Sequence, residues 1–194
     1  MARLAAEVGL GQSSLYYYFR SREDVVAALV ARANLVPLAL VEAIADAEGS
    51  AAAKLHRFVC GDVEALCSLP FDINEIHRIA ARDRHRFEAY WRERGKLERR
   101  LSGLLGEGIA SGELRAVDVR LTTLHVLATD EGTQNWFRLQ SSARAPKVAA
   151  SSADLLVAGL LAPGRSLEQV RDASLQISMD LRKRHASFSV TKPS

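Results

Sequence analysis

The chain has 194 residues, of which 48% are hydrophobic and 25% are charged, and its formal net charge is +3. This length and apolar content suffice for one large or two small globular units, and they exclude a disordered chain or a small scaffold held by disulfides. The slight basic excess permits nucleic-acid binding without demonstrating it.

The first predicted elements are two short helices joined by a tight turn. The segment LAAEV from Leu4 favours a helix, Gly9 can take the left-handed conformation that ends one, and a second helix can begin within residues 11–14. Ala5 and Leu15 supply the small contact residue and the apolar anchor that a helix-turn-helix needs. The second helix carries side chains that can reach base edges and phosphates, namely Gln12, Ser13, Ser14, Tyr16 and Tyr17.

The stretch GLGQSSLYYYFRSREDVV, which begins at Gly9, resembles the second half of the DNA-binding domain of the tetracycline-repressor (TetR) family. Residues 108–115, followed by Asp118, resemble the turn that precedes the dimerising helices of that family. The resemblance implies that three side chains touch bases and four touch phosphates of double-stranded DNA. The first set is Gln12, Ser13 and Tyr16, and the second is Ser14, Tyr17, Tyr18 and Arg22.

Family members carry a further helix before the point at which this sequence begins. The resemblance therefore implies one of two things: the given sequence is a fragment that begins too late, or its DNA-binding domain is incomplete. Residues 1–22 are expected to form this partial helix-turn-helix domain. Residues 23–48 are expected to form a connecting helix, which Pro37 should kink or restart because it removes one hydrogen bond of the helix.

The rest of the chain shows helical periodicity, and strand-like alternation is hard to find, so the predicted fold is all-α. Residues 49–185 are expected to form a helical effector-binding and dimerisation domain, and residues 186–194 a tail. The predicted helices span residues 51–69, 73–81, 83–109, 118–140, 148–162 and 167–184.

Helices 118–140 and 148–162 carry more apolar surface than one core face needs. In the family, two such helices from each subunit form a four-helix bundle about a two-fold axis, so a homodimer is expected. Leu156 and Leu160 are predicted to lie in its interface, where Ala153 and Gly159 would let the backbones approach closely.

The sequence offers no metal, cofactor or catalytic constellation. Cys60 and Cys67 would lie about 10 Å apart along one helix, too far for a disulfide, and are expected to fill the core. None of the five histidines has zinc-ligand spacing. No nucleophile with a base is visible, so an enzyme is not expected. No apolar run approaches the ~20 residues that span a bilayer, and no signal peptide opens the chain, which favours a cytoplasmic protein without a membrane partner.

A regulator of this type needs a cavity for a small effector. Helices 51–69, 83–109 and 118–140 could enclose one. Its predicted walls are Phe58, Tyr90, Trp91 and Leu124, with His125 or Asp130 as orienting groups. Few buried charges are expected there, which favours a largely apolar effector. The alternative for His125, Asp130 and the neighbouring Glu131 is a core histidine beside solvated acids.

The predicted function is that of a TetR-type transcriptional repressor. Such a protein binds a palindromic DNA operator with an affinity that a small effector alters. The alternative is a ligand-binding helical dimer whose DNA-binding domain is incomplete, weak or inactive.

Overall fold

The computed structural model describes residues 16–19, 21–139 and 143–190. Within these ranges the chain is helical, with no β-strand, and the predicted all-α fold is confirmed. Residues 16–18 are helical. The helices that follow are α1 (Arg22–Arg32), α2 (Leu35–Ala45), α3 (Ala51–Ser68), α4 (Ile73–Arg82), α5 (Glu88–Ala110), α6 (Val119–Phe137), α7 (Ala145–Leu160) and α8 (Leu167–Val190).

Helix α3 lies at the centre of the molecule and packs against α2, α5, α6, α7 and α8. Ser50 caps its N-terminus, because the Ser50 hydroxyl accepts a hydrogen bond of 3.2 Å from the Ala53 N–H and satisfies one of the free donors at a helix start. Its fully buried apolar side chains include Leu55, Phe58 and Val63. Because each such side chain stabilises the fold by roughly 1.5–3 kcal/mol, α3 organises the core.

The predicted connecting helix is two helices, and its break lies before Pro37. Ala33 and Asn34 form a turn that interrupts the hydrogen-bond pattern of the helix, and Pro37 falls in the first turn of α2. A proline is tolerated there because the first N–H groups of a helix have no acceptor within it. The Asn34 side chain is buried and donates a 3.1 Å hydrogen bond to the Tyr90 carbonyl, which fixes the break against α5.

The segment Glu23–Ala45 is long and apolar enough to cross a membrane by length and composition, and an 18-residue stretch within it has a mean hydropathy of 1.8. The expectation that no apolar run approaches this length was therefore wrong. In the structure the segment is interrupted at Ala33 and Asn34. Val30 and Val41 are fully buried against other helices, so part of its apolar surface belongs to the protein core.

Residues 108–115 comprise the end of α5 and the turn that follows it. Gly112 has a φ of +68°, a conformation that glycine adopts without steric cost. A Cβ on Gly108 would lie 2.6 Å from the Leu114 side chain, so any other residue at this position would force Leu114 to shift. Arg115 N–H then donates to the Leu160 carbonyl at 2.9 Å, which ties the turn to the end of α7.

Several predicted boundaries differ from the structure. Helix α5 begins at Glu88 and not at residue 83, because residues 84–87 form a turn. Helix α7 begins earlier than predicted, at Ala145, with Pro146 in its first turn. Helix α8 runs to Val190, so the first part of the tail predicted over residues 186–194 is helical.

Candidate functional site

A cavity of about 470 Å³ lies beside the break between α1 and α2, and α3, α4, α5 and α6 also border it. This volume is within the range of small-molecule sites. Most of its wall is apolar and is formed by Leu29, Ala33, Val36, Pro37, Ala65, Leu66, Leu69, Phe71, Ile73 and Leu97. The polar side chains on the wall are Asn34, Asp62, Ser68, His77, Arg94 and Glu131.

The loop between α3 and α4, which forms one side of the cavity, is held by a single buried amide. Gln134 on α6 accepts a 2.8 Å hydrogen bond from the Ile73 N–H. Its Nε2 donates to the carbonyls of Leu66 at 2.7 Å and Phe71 at 3.0 Å. All polar atoms of this side chain are therefore used to fix the loop on α6, so that side of the cavity is preformed.

An ion pair is buried at the polar end of the cavity. The Arg94 guanidinium contacts both Glu131 and Glu98, the latter at 3.4 Å. His77 Nε2 lies 3.1 Å from the same Glu131 oxygen, and His77 Nδ1 contacts the Tyr90 hydroxyl. Burial opposes ionisation of Glu131, yet its neighbours His77 and Arg94 lower its pKa below the ordinary value. Glu131 is therefore a compensated negative charge.

Two further carboxyl groups lie near this pair without such compensation. Asp62 is 3% exposed and borders the cavity, and it makes no hydrogen bond within the part of the chain that the structure describes. Both oxygens of Asp130, which is fully buried, also lack a hydrogen-bond partner there. Burial raises the pKa of Asp62 to about 7, with Glu131 adding to the effect and Arg94 opposing it. Burial and the charges of Asp62 and Glu131 raise the pKa of Asp130 well above its usual range.

We call Asp62, His77, Arg94, Asp130 and Glu131 the Asp62 cluster. The sequence suggested Asp130 and Glu131 as a possible buried polar site, but Asp62, His77 and Arg94 were not predicted to belong to it. A signal for Asp62 exists, because it falls at helical spacing between Val59 and Leu66 on the apolar face of α3. Arg94 lies four residues before Glu98, a spacing that is typical of a solvated helix face, yet its side chain is mostly buried and is paired with Glu131.

The six predicted ligand residues do not line this cavity. Phe58 lies in the main core, and Tyr90 packs in a smaller core cluster with Val30. Trp91 is half-buried, and its indole N–H donates to the Ala80 carbonyl at 3.1 Å. Leu124 and His125 are exposed on α6, while Asp130 is buried behind the cavity wall. Their role in ligand binding stays a prediction, and the structure gathers a different set of residues around the cavity.

Of the predicted DNA-binding residues, Gln12, Ser13 and Ser14 lie outside the described residues. Tyr16, Tyr17 and Tyr18 are exposed, Tyr17 to 83%. Exposed aromatic side chains that cluster on a soluble surface often mark a binding site. Arg22 is the first residue of α1, and the structure describes its backbone only. Ser21 caps α1 by accepting from the Asp24 N–H at 3.1 Å, which fixes where the tyrosine segment meets α1.

Helices α6 and α7, predicted to dimerise, expose apolar side chains, but not those expected on α7. Leu160 is only 8% exposed and Ala153 is fully buried, because both face the main core. Leu156 is half-buried against the same core. The exposed face carries Leu155, at 76%, and Gly159. On α6 the exposed apolar side chains are Leu121, Leu124 and Trp136.

A second buried polar group ties α3 to α7 and α8, and we call it the His56 cluster. His56 Nδ1 lies 2.9 Å from the Ser174 hydroxyl, and His56 Nε2 lies 3.1 Å from Asp154. Arg171 donates two hydrogen bonds of 2.7 Å to Asp154. The order serine, histidine, aspartate is that of a hydrolytic triad. Ser174 is only 2% exposed, however, so the group is a structural contact between helices.

Among the described residues, no group of three or more histidine, cysteine or acidic side chains could hold a metal ion. Cys60 and Cys67 are free thiols. Cys60 is buried in the core, and burial raises the pKa of its thiol to about 11.

The comparisons with known proteins define the class to which this helical architecture belongs. Residues 48–160 match the model of the tetracyclin repressor-like C-terminal domain, and residues 1–29 match that of bacterial regulatory proteins of the tetR family. The first match alone covers more than half of the chain. The chain therefore belongs to the TetR family of DNA-binding transcriptional regulators. No curated protein matches the sequence.

Solved structures of regulators share the fold. PfmR, a TetR family transcriptional regulator from Thermus thermophilus, is 25% identical, with a TM-score of 0.72 over 84% of this chain and 88% of that chain. The ketosteroid transcriptional regulator KstR2 of Mycobacterium tuberculosis is 21% identical, with a TM-score of 0.70 over 82% and 83%. FadR from Bacillus subtilis, in complex with stearoyl-CoA, is 22% identical, with a TM-score of 0.62 over 81% and 87%.

Proposed function

We propose that this chain is a cytoplasmic, homodimeric transcriptional repressor that binds a palindromic DNA operator and is released by a small, largely apolar effector in the cavity. The observation that carries this proposal is the position of the cavity. Leu29, at the C-terminal part of α1, and Asn34, in the break after it, both contribute to its wall. A ligand in the cavity therefore touches the segment that leads back to the predicted DNA-binding residues.

The break between α1 and α2 is a segment whose conformation a bound ligand can shift. On one side it is held by the hydrogen bond from Asn34 to the Tyr90 carbonyl. On the other side Val36 and Pro37 border the cavity. An effector regulates only if it binds one of two arrangements better than the other. Differential contact with this break would couple occupancy of the cavity to the position of α1 and of the residues before it.

The cavity is tested by filling it. Ala65 on α3 borders the cavity, so Ala65→Phe should occupy part of its volume, whereas Ala116→Phe changes an exposed position between α5 and α6. A thermal-shift screen of apolar amines, alcohols and carboxylic acids should yield stabilising compounds for the wild type and for Ala116→Phe, and weaker shifts for Ala65→Phe. Equal shifts in all three proteins would place the ligand elsewhere.

Regulation is tested with DNA selected from a random duplex library by the intact chain. We expect a palindromic consensus, and anisotropy should show weaker binding once a stabilising compound is present. Gln12→Ala should cost ~1–3 kcal/mol at one base position, whereas Arg22→Ala should weaken binding to all sequences alike. Failure to enrich any sequence would contradict the DNA-binding part of the proposal and favour a ligand-binding dimer.

The dimer is tested on the exposed face of α7. Leu155→Glu places a charge on that face, and Leu175→Glu places one at an exposed apolar position of α8 as a matched control. We expect Leu155→Glu to yield a monomeric mass in light scattering and the control to remain dimeric. A dimeric Leu155→Glu protein would move the interface away from α7.

A further inference from the structure

We propose that the cavity binds an apolar organic cation, an amine with an aliphatic or aromatic body, and that Asp62 holds its ammonium group. This inference rests on the proposed function, since it assigns the chemical class of the effector. The apolar wall fits the body of such a molecule, and Asp62 is the acidic group on the wall that has no cationic partner in contact with it within the described ranges.

The charges around the cavity are not balanced. Arg94 is the cation on the wall, and it is already paired with Glu131 and Glu98. His77 contacts Glu131 and the Tyr90 hydroxyl. No side chain in the described ranges forms a hydrogen bond or ion pair with the carboxyl group of Asp62, and none does so with that of Asp130. This part of the protein thus buries two acidic groups for which it supplies no counter-ion.

A buried carboxylate without a partner is costly, and proteins avoid it except where the group has a use. Asp62 borders the cavity, whereas Asp130 does not. A ligand can therefore reach it. An ammonium group offers three donors and a full positive charge, which meets the needs of a desolvated carboxylate.

The same arrangement disfavours anionic ligands. A carboxylate in the cavity would face Asp62 and, behind it, Asp130. It would also find Arg94 already engaged by two glutamates. A neutral alcohol can donate one hydrogen bond to Asp62 but brings no charge. The predicted order of affinity is therefore amine, then alcohol, then carboxylate, for the same hydrocarbon body.

Burial raises the pKa of Asp62 to about 7, so part of the population is neutral at physiological pH. An alkylammonium group ionises near the lysine value of about 10.4 and stays charged. Binding of an amine then requires loss of a proton from Asp62, and affinity should rise as pH increases from about 6 to about 8. The groups that face Asp62 are Glu131 and Asp130 on α6, Arg94 on α5 and His77 on α4.

The test compares decylamine, 1-decanol and decanoate, titrated by calorimetry into the wild type, Asp62→Asn and Glu64→Gln. Glu64 lies on the same helix and does not border the cavity. We expect decylamine to bind the wild type and Glu64→Gln at least tenfold more tightly than 1-decanol, with decanoate weakest. In Asp62→Asn the preference for the amine over the alcohol should disappear, and its pH dependence should flatten.

Equal affinity for amine and alcohol in the wild type would overturn the proposal, as would tightest binding of decanoate or an amine preference that survives Asp62→Asn. Release of selected DNA is measured separately, by anisotropy with decylamine present. If the charge preference holds but DNA affinity does not change, the ligand class stands and the regulatory function fails. If DNA is released by the alcohol and the acid but not by the amine, the function stands and the ligand class fails.

Discussion

The His56 cluster and the Asp62 cluster both include a side chain of α3, yet they treat buried polar groups differently. In the His56 cluster each ring nitrogen has a partner, and Asp154 is bound from two sides, by His56 and by Arg171. In the Asp62 cluster, Asp62 and Asp130 have no hydrogen bond within the described ranges. His56 and Ser174 are buried, as are Asp62 and Asp130, so exposure to solvent does not explain the difference.

The difference separates a structural polar group from a binding group. Hydrogen bonds that are complete within the fold stabilise one arrangement of α3, α7 and α8 and leave nothing for a ligand. The incomplete set beside the cavity costs stability, and proteins retain such costs mainly at functional sites. Substitution in the His56 cluster should therefore destabilise the protein. Substitution of the unpartnered acids in the Asp62 cluster should stabilise it and reduce its function.

The largest expected effect follows from His56→Ala. This change leaves a cavity in the core and removes the partner of Ser174 and one partner of Asp154, both of which lie in or near the interior. The free energy of unfolding should fall by roughly 2–4 kcal/mol in urea titrations at fixed protein concentration. His85→Ala, at an exposed position, should change it by no more than about 0.5 kcal/mol. Equal effects of the two substitutions would show that the hydrogen bonds of the His56 cluster do not stabilise the fold.

The next effect is a pH dependence that comes from Asp62. Its folded pKa of about 7 lies above the ordinary value of 3.8, so the native state binds more protons than the unfolded chain between these values. Stability contributed by the neutral form is therefore lost as pH rises from about 4 to about 7, by at most roughly 1.4 kcal/mol per pH unit.

Asp62→Asn should remove this loss. Relative to the wild type, the variant should gain free energy of unfolding as pH rises through that window and keep a constant advantage above it. Asp130, Glu131, Arg94 and His77 remain in both proteins, so the difference between the two curves reports Asp62 together with its effect on the pKa of Asp130. Glu64→Gln is the control, and its curve should run parallel to that of the wild type. If the curve of Asp62→Asn also ran parallel to that of the wild type, the Asp62 carboxyl group would have a partner in solution that stabilises its charge.

The helices were predictable because their signals are local. Asp118 and Ser50 cap their helices as their residue types suggest, and Leu97, Leu101 and Leu104 recur at helical spacing on the buried face of α5. The break at Asn34 was not predictable in this way. It depends on a hydrogen bond to Tyr90, which lies far away in the sequence.

The candidate site was harder to predict because it also depends on contacts between residues far apart in the sequence. Phe58 and Trp91 are aromatic residues on the helices that were expected to form a pocket, but aromatic character does not tell a core position from a cavity wall. Arg94 forms an i, i+4 pair with Glu98, which the spacing alone suggests, but its second partner, Glu131, becomes apparent only when α5 and α6 are packed together. The sequence shows where a charged residue lies within a helix, but its partner on another helix is determined by the tertiary structure.

The smallest expected effect tests whether the His56 cluster depends on its exposed edge. Arg171 binds Asp154 through two short hydrogen bonds, but about half of its side chain is exposed to solvent. Water and salt screen such a pair, so it should stabilise the fold far less than the buried contacts of His56. Arg171→Ala should therefore lower the midpoint of urea unfolding slightly at low salt and not at all in high salt, while His56→Ala remains destabilising in both. A salt-independent loss as large as that of His56→Ala would instead mean that Arg171 orients Asp154 toward His56, and that the cluster is complete only with its surface residue in place.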